Sequence, residues 1–219
     1  MKKRFILLCG LIVAAAVATR ARNFPSDPFI PLTEGNLRFI KGDIEHQPMD
    51  RYYRAELAKG QHPFAAILTC SDSRVPPEHI FNQGLGDLFV VRVAGNVVDP
   101  VALGSLEYAA EHLGVALIVI MGHTGCGAVQ SALESKGADE GNIGVILGKI
   151  APAVRKARAL AALDSKADLL DLAVRANVDQ TAAEILRASP VLSRLAGQLK
   201  VRIVKTLYHL DTGAVEILR

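Results

Sequence analysis

The sequence predicts an α/β fold: a mainly parallel central sheet flanked by helices, with an antiparallel edge strand and an N-terminal helical arm. Three observations predict it. Residues 64–69, 88–93 and 115–121 are short, almost wholly apolar and rich in Val and Ile, as strands covered on both faces must be. Between the last two lies a helix-period segment, and alternation of strand and helix implies parallel strands joined by right-handed crossovers. Near the C-terminus, residues 201–208 and 214–218 flank Asp211-Thr212-Gly213 and read as a hairpin, which adds the antiparallel edge.

The chain begins with Lys2, Lys3 and Arg4 ahead of an apolar run from Phe5 to Ala18, and Ala16-Val17-Ala18 offers small residues at a cleavage point. Residues 1–18 are therefore expected to be a signal peptide, and the mature protein to be periplasmic or secreted. The run has 14 residues, short of the roughly 20 that a spanning helix needs, so membrane attachment is expected only if the segment stays uncleaved. Residues 19–219 are expected to form a single domain, with a helical arm over 32–59 and an α/β core over 60–219.

The arm is charged and lacks strand-like alternation, so it reads as two amphipathic helices lying on the outside of the domain or on a partner. In the core, Asp99 is the expected N-cap of a helix with Pro100 at its first position and Gly114 past its end. Leu103, Leu106, Ala110 and Leu113 recur along it at helical spacing. After the third strand the chain is mainly helical, and Leu170, Val174, Val178, Ala182 and Ile185 form one stripe that stops at Ser189-Pro190.

The formal net charge is +3, and loss of the three cations in residues 1–18 brings the rest to zero. No basic tract remains to argue for nucleic acid or an anionic membrane as a partner. Cys9 leaves with the signal, so the mature chain keeps Cys70 and Cys126. In an exported protein two cysteines suggest either a disulfide or a metal site.

Their neighbours favour metal. Cys70-Ser71-Asp72-Ser73-Arg74 follows the first strand, and His123-Thr124-Gly125-Cys126-Gly127 follows the third. Ligands in open parallel sheets gather beyond the carboxyl ends of the strands, where both segments lie. Two thiolates and an imidazole suit zinc and leave its fourth position open, the composition of a catalytic site. Asp72 and Arg74 suggest an ion pair at that open side, with Arg74 holding the carboxylate as a hydrogen-bond acceptor; Asp72 can alternatively turn in as a fourth ligand.

The glycines around His123 do not match a dinucleotide fingerprint and are expected to permit a sharp turn into a helix. Cys70 and Arg74 are too close for the loop of a cysteine phosphatase. His46, His62, His79, His112 and His209 read as structural or exposed.

At these residues the chain resembles the β-class carbonic anhydrases. Cys-x-Asp-x-Arg followed some fifty residues later by His-x-x-Cys is distinctive of that family. Gly35-Asn36-Leu37-Arg38-Phe39 is similar to its early helix, and Gly86-Asp87-Leu88-Phe89 with Arg92 and Ala94-Gly95-Asn96 to its second strand and loop. The resemblance implies one Zn2+ per subunit on Cys70, His123 and Cys126, and a catalytic dyad of Asp72 and Arg74. Gln61, Phe89 and Tyr108 would line a narrow substrate cleft.

The resemblance further implies reversible hydration of carbon dioxide to bicarbonate and a proton by attack of zinc-bound hydroxide. It implies a homodimer or dimer of dimers, with the arm wrapped over the partner. The absence of tryptophan removes an aromatic that some bicarbonate-regulated members use, which leans towards an open zinc site. Three other functions compete: a carbon disulfide or carbonyl sulfide hydrolase on the same scaffold, a non-catalytic zinc- or bicarbonate-binding homologue, and a cysteine hydrolase using Cys70 or Cys126 near His123.

Overall fold

The computed structural model describes residues 27–137, 141–164 and 166–219. The expected signal segment, residues 1–18, lies outside the described residues. Two helices come first, α1 (Ile30–Lys41) and α2 (Arg51–Leu57), followed by strand β1 (Ala65–Thr69), the short helix α3 (Pro77–Ile80) and strand β2 (Leu88–Arg92). One tight helical turn, Ala94–Asn96, leads to helix α4 (Pro100–Glu111) and strand β3 (Leu117–His123). Four helices follow, α5 (Gly127–Glu134), α6 (Ile143–Ala161), α7 (Leu169–Ala188) and α8 (Pro190–Gly197), and then strands β4 (Arg202–Tyr208) and β5 (Val215–Ile217).

The strands form one sheet in the order β2-β1-β3-β4-β5. The first four are mutually parallel and β5 is antiparallel to β4, as the hairpin predicts. All five residues of β1 and all seven of β3 are buried, which accounts for their unbroken apolar character. Alternation along β1 sends Ala65 and Ile67 to one face, against Leu32 of α1 and Ile80 of α3. It sends Ala66 and Leu68 to the other, against Leu106 of α4, Ile185 of α7 and Leu192 of α8. A third cluster, with Val129 of α5, Ile150 and Val154 of α6 and Val174 of α7, closes around Cys70 and Cys126.

The Asp99 side chain accepts a hydrogen bond from the Ala102 N–H at 2.7 Å, so α4 starts where expected. Its end comes earlier, at Glu111, because residues 112–116 are used in a turn through Gly114 at φ 71°. β3 is accordingly displaced by two residues from the expected 115–121, and its ladder with β4 runs on to His123 opposite Tyr208. His123 thus ends the strand instead of following it. Helix α8 is absent from the sequence reading: Pro190, expected to stop the preceding helix, also starts a new one, capped by the Ser189 hydroxyl accepting from the Leu192 N–H at 3.0 Å.

Gly35 and Asn36 dock α1. A Cβ on Gly35 would lie 1.7 Å from the Phe81 carbonyl oxygen, so only glycine allows the helix this close. Buried Asn36 donates to the Ile80 carbonyl at 3.1 Å and the Gly213 carbonyl at 2.8 Å, and accepts from the Val215 N–H at 2.9 Å. By contrast α2 buries none of its residues, and Met49 and Tyr52 are 64% and 69% exposed. Among the described residues no helix is long and apolar enough to cross a membrane.

The hairpin is fastened to α7 by Arg175, which grips both carboxylate oxygens of Glu216 at 2.8 and 2.9 Å. That fork lowers the Glu216 pKa from 4.5 to about 2 against the opposing effect of partial burial. A carboxylate whose folded pKa is depressed stabilises the fold above its unfolded pKa and loses that contribution as pH falls through the folded value. Glu216→Gln is therefore expected to melt below the wild type at pH 7, with the gap closing as pH falls from 4.5 towards about 2; melting temperatures across that window check it.

Candidate metal centre

Strands β1 and β3 are neighbours, with Thr69 opposite Met121, so their tips open side by side. The buried Thr69 hydroxyl donates to the Met121 carbonyl at 2.8 Å and fixes the two ends together. Cys70 is the next residue on one chain and His123 lies two residues on along the other. Gly125, at φ 63°, turns the chain so that Cys126 becomes the N-cap of α5.

These three residues converge. Cys70, His123 and Cys126 are 4%, 0% and 1% exposed, and their ligand atoms lie within 4.8 Å of one another. Both cysteines are free, with sulfurs 3.9 Å apart, far beyond the roughly 2.05 Å of a disulfide. Tetrahedral zinc with bonds of ~2.3 Å holds its sulfurs about 3.8 Å apart, which this spacing matches.

The imidazole is oriented for the same purpose. His123 Nδ1 lies 2.9 Å from the Thr124 carbonyl oxygen, which can only accept, so the neutral ring carries its hydrogen on Nδ1. The lone pair is then on Nε2, a buried atom without a hydrogen-bond partner among the described residues. An unpartnered buried nitrogen is costly, and a metal ion satisfies it.

The thiols are coupled. Contact with the Cys126 sulfur lowers the Cys70 pKa despite burial, and the N–H groups of Asp72 and Gly95, at 3.4 and 3.3 Å, act in the same direction. The same contact pushes Cys126 up. Two buried sulfurs this close resist carrying two negative charges, and a cation between them relieves that repulsion.

Asp72 stands at the rim. Arg74 donates to one carboxylate oxygen through Nε at 2.9 Å and its backbone N–H at 3.0 Å, and to the other through Nη2 at 2.7 Å. This grip holds the Asp72 carboxyl well below the usual carboxylate range, against partial burial. Asp72 Oδ2 lies 3.9 Å from His123 Nε2. Arg74 also reaches the Gly125 carbonyl at 3.4 Å and so ties the two motif loops together.

Arg92 was legible as a landmark but not in its role. From the end of β2 it donates to the carbonyls of Cys70 at 3.0 Å and Asp72 at 2.5 Å, clamping the loop that carries both. Thr124 likewise escaped the sequence reading; besides orienting His123, its hydroxyl accepts from the Leu210 N–H at 3.0 Å. Thr124 has no sequence signal apart from lying beside a ligand, and nothing in the landmark at Arg92 tells which carbonyls it meets.

The remaining three candidates form no part of this cluster within the chain. Phe89 on β2 and Tyr108 on α4 pack together with ring centroids 6.2 Å apart, and Tyr108 stacks on His112 at 5.2 Å. Gln61 is exposed on the loop between α2 and β1.

The sequence matches the family model described as carbonic anhydrase over residues 65–215. It is 42% identical over 186 residues to carbonic anhydrase 2 of Mycobacterium tuberculosis, covering 83% of this chain and 87% of that one. To the carbonic anhydrase of Mycolicibacterium smegmatis it is 41% identical over 189 residues, covering 85% and 89%. Among solved structures, the Coccomyxa β-carbonic anhydrase in complex with acetazolamide aligns with a TM-score of 0.67 at 28% identity, over 89% of this chain and 87% of that one. A tetrameric β-carbonic anhydrase of Sordaria macrospora aligns with a TM-score of 0.66 at 28% identity, over 77% and 87%. Agreement in sequence over most of both chains, and in fold with the β-class enzymes, places the chain in the β-class carbonic anhydrase family, whose general reaction is the hydration of carbon dioxide.

Proposed function

We propose that the chain interconverts carbon dioxide and bicarbonate at one zinc ion per subunit, held by Cys70, His123 and Cys126. The observation that carries this reading is His123 Nε2, without a hydrogen-bond partner among the described residues and buried beside two sulfurs spaced for a tetrahedral ion. Bound there, zinc supplies the Lewis acidity that makes water a nucleophile near neutral pH.

The chain's own groups do the rest. Asp72 accepts a hydrogen bond from the attacking oxygen and orients it towards the substrate carbon. Arg74 engages both carboxylate oxygens and so keeps Asp72 at the rim as an acceptor, which favours an open resting site over one closed by Asp72. Phe89, Tyr108 and Gln61 lie outside the ligand cluster of their own chain and in this reading line the cleft of a second subunit, the two rings giving apolar walls suited to a small uncharged substrate.

The assembly we assign is a homodimer or dimer of dimers. A helix with no buried residue, preceded by exposed Met49 and carrying exposed Tyr52, needs a covering surface, and a second subunit supplies one. Residues 1–18 act as an export signal in this reading, which makes the mature enzyme periplasmic or secreted.

Removal of zinc by a chelator is expected to abolish carbon dioxide hydration, and Cys126→Ser to lose both metal and activity, as stopped-flow assay and metal analysis read together. Activity surviving chelation would favour the cysteine hydrolase; zinc-loaded protein inert towards carbon dioxide but active on carbon disulfide or carbonyl sulfide would favour the alternative hydrolase. Zinc-loaded protein inert towards all three would leave a binding protein.

Asp72→Asn keeps the shape of the side chain but weakens it as an acceptor. It is expected to retain one zinc per subunit while kcat falls about 10²-fold, within the range for a positioned acid–base group. Full activity in this variant would remove Asp72 from the mechanism. Export has its own check: the intact mass of protein recovered from the producing organism should lack residues 1–18.

A further inference from the structure

Helix α7 carries two buried polar residues in a stripe that otherwise packs as core. Asn177 is 1% exposed and Thr181 4%, one helical turn apart on the same face. Asn177 Nδ2 donates to the Gly95 carbonyl at 2.7 Å, and the Thr181 hydroxyl donates to the Asn96 carbonyl at 3.3 Å. Two successive carbonyls of one tight turn are thus gripped from the same helix.

That turn faces the metal centre. Gly95 sits in the left-handed region at φ 66° and ψ 20°, and its N–H lies on Cys70 Sγ at 3.3 Å. It is also wedged: a Cβ on Gly95 would stand 2.7 Å from Ile150 Cδ1 and 3.3 Å from Ala128 Cβ. The helix reaches the turn because Gly122, at the tip of β3, lacks a side chain; a Cβ there would lie 2.5 Å from Val178 Cγ2.

Stability alone does not account for Asn177. Its Oδ1 is buried without a hydrogen-bond partner among the described residues, as is Asn96 Nδ2, so half of the amide is desolvated with no return. An apolar residue of similar size would fill the position without that penalty. What only the amide provides is the donor to Gly95.

We propose that Asn177 and Thr181 are positioning residues for the metal, acting through the Gly95 and Asn96 carbonyls to keep the Gly95 N–H on the sulfur of Cys70. The proposal rests on the metal site proposed above. An N–H held on a thiolate withdraws charge from the sulfur and fixes the direction of its remaining lone pairs. Without the clamp the turn swings away, and Cys70 becomes a stronger but less well-aimed ligand.

Three substitutions separate this from a packing role. Asn177→Ala removes one donor, Thr181→Val removes the other with little change in shape, and Thr181→Ser keeps the hydroxyl. Ile185→Ala, on the same helix and fully buried, serves as a packing control. The readouts are the rate at which full-length, zinc-loaded protein yields its metal to excess chelator, and the thiolate-to-cobalt charge-transfer band of the Co2+-loaded protein.

Asn177→Ala is expected to release zinc about 10–100-fold faster, in line with other groups that support metal ligands. Thr181→Val should follow in the same direction, both with the cobalt band moved to longer wavelength, while Thr181→Ser and Ile185→Ala keep the wild-type band and rate. Should Asn177→Ala fail to fold, Thr181→Val decides on the same two readouts. Folded variants that match the wild type, or an Ile185→Ala that shifts the band equally, overturn the clamp. A wild-type chain that binds neither ion overturns the metal site itself.

Discussion

Two sulfurs 3.9 Å apart and one imidazole nitrogen, all shut away from water, constitute an electrostatic demand that the protein alone does not meet. The sulfurs shift each other's ionisation in opposite directions, and the ring nitrogen has nothing to bond among the described residues. A divalent cation answers all three needs at once. The surrounding structure is arranged to keep that demand in place: adjacent parallel strands set the tips side by side, the Thr69 hydroxyl joins them, and the carbonyl of Thr124 fixes the ring.

Around this dry floor the rim is polar and partly open. The side chain of Asp72 is 17% exposed and that of Arg74 57%. A pair so placed in isolation would add little to stability. Here it has another use, because Arg74 also bonds the loop of Cys126, and Arg92 holds the backbone on either side of Ser71. Three loop segments are stitched by two guanidinium groups, whose rigid forks suit such multiple acceptors better than lysine would.

Much of this was legible from residues alone. Apolar runs without alternation announced β1 and β3, and the motif residues fell at their ends because a parallel sheet places its loops there. What escaped was set by contacts distant in sequence. The displacement of β3 depends on Tyr208, a partner 85 positions from His123, and on a turn at Gly114 that local pattern does not fix. Pro190 reads equally as a stop and as a start, and only the Ser189 cap decides. Asn177 was invisible among valines because its meaning lies in the Gly95 carbonyl it meets, and Phe89 and Tyr108 show within the chain a contact with each other.

Asn36 joins what synthesis keeps apart. Its partners Gly213 and Val215 lie 177 and 179 positions further along the chain. Phe81 and Ile80 offer the helix a seat close in sequence, but the Asn36 amide is fully paired only once the β4–β5 hairpin is in place. Closing a loop of this length is slow relative to local contacts. One amide thus latches two segments that lie far apart in sequence, and the latch closes only when both are folded.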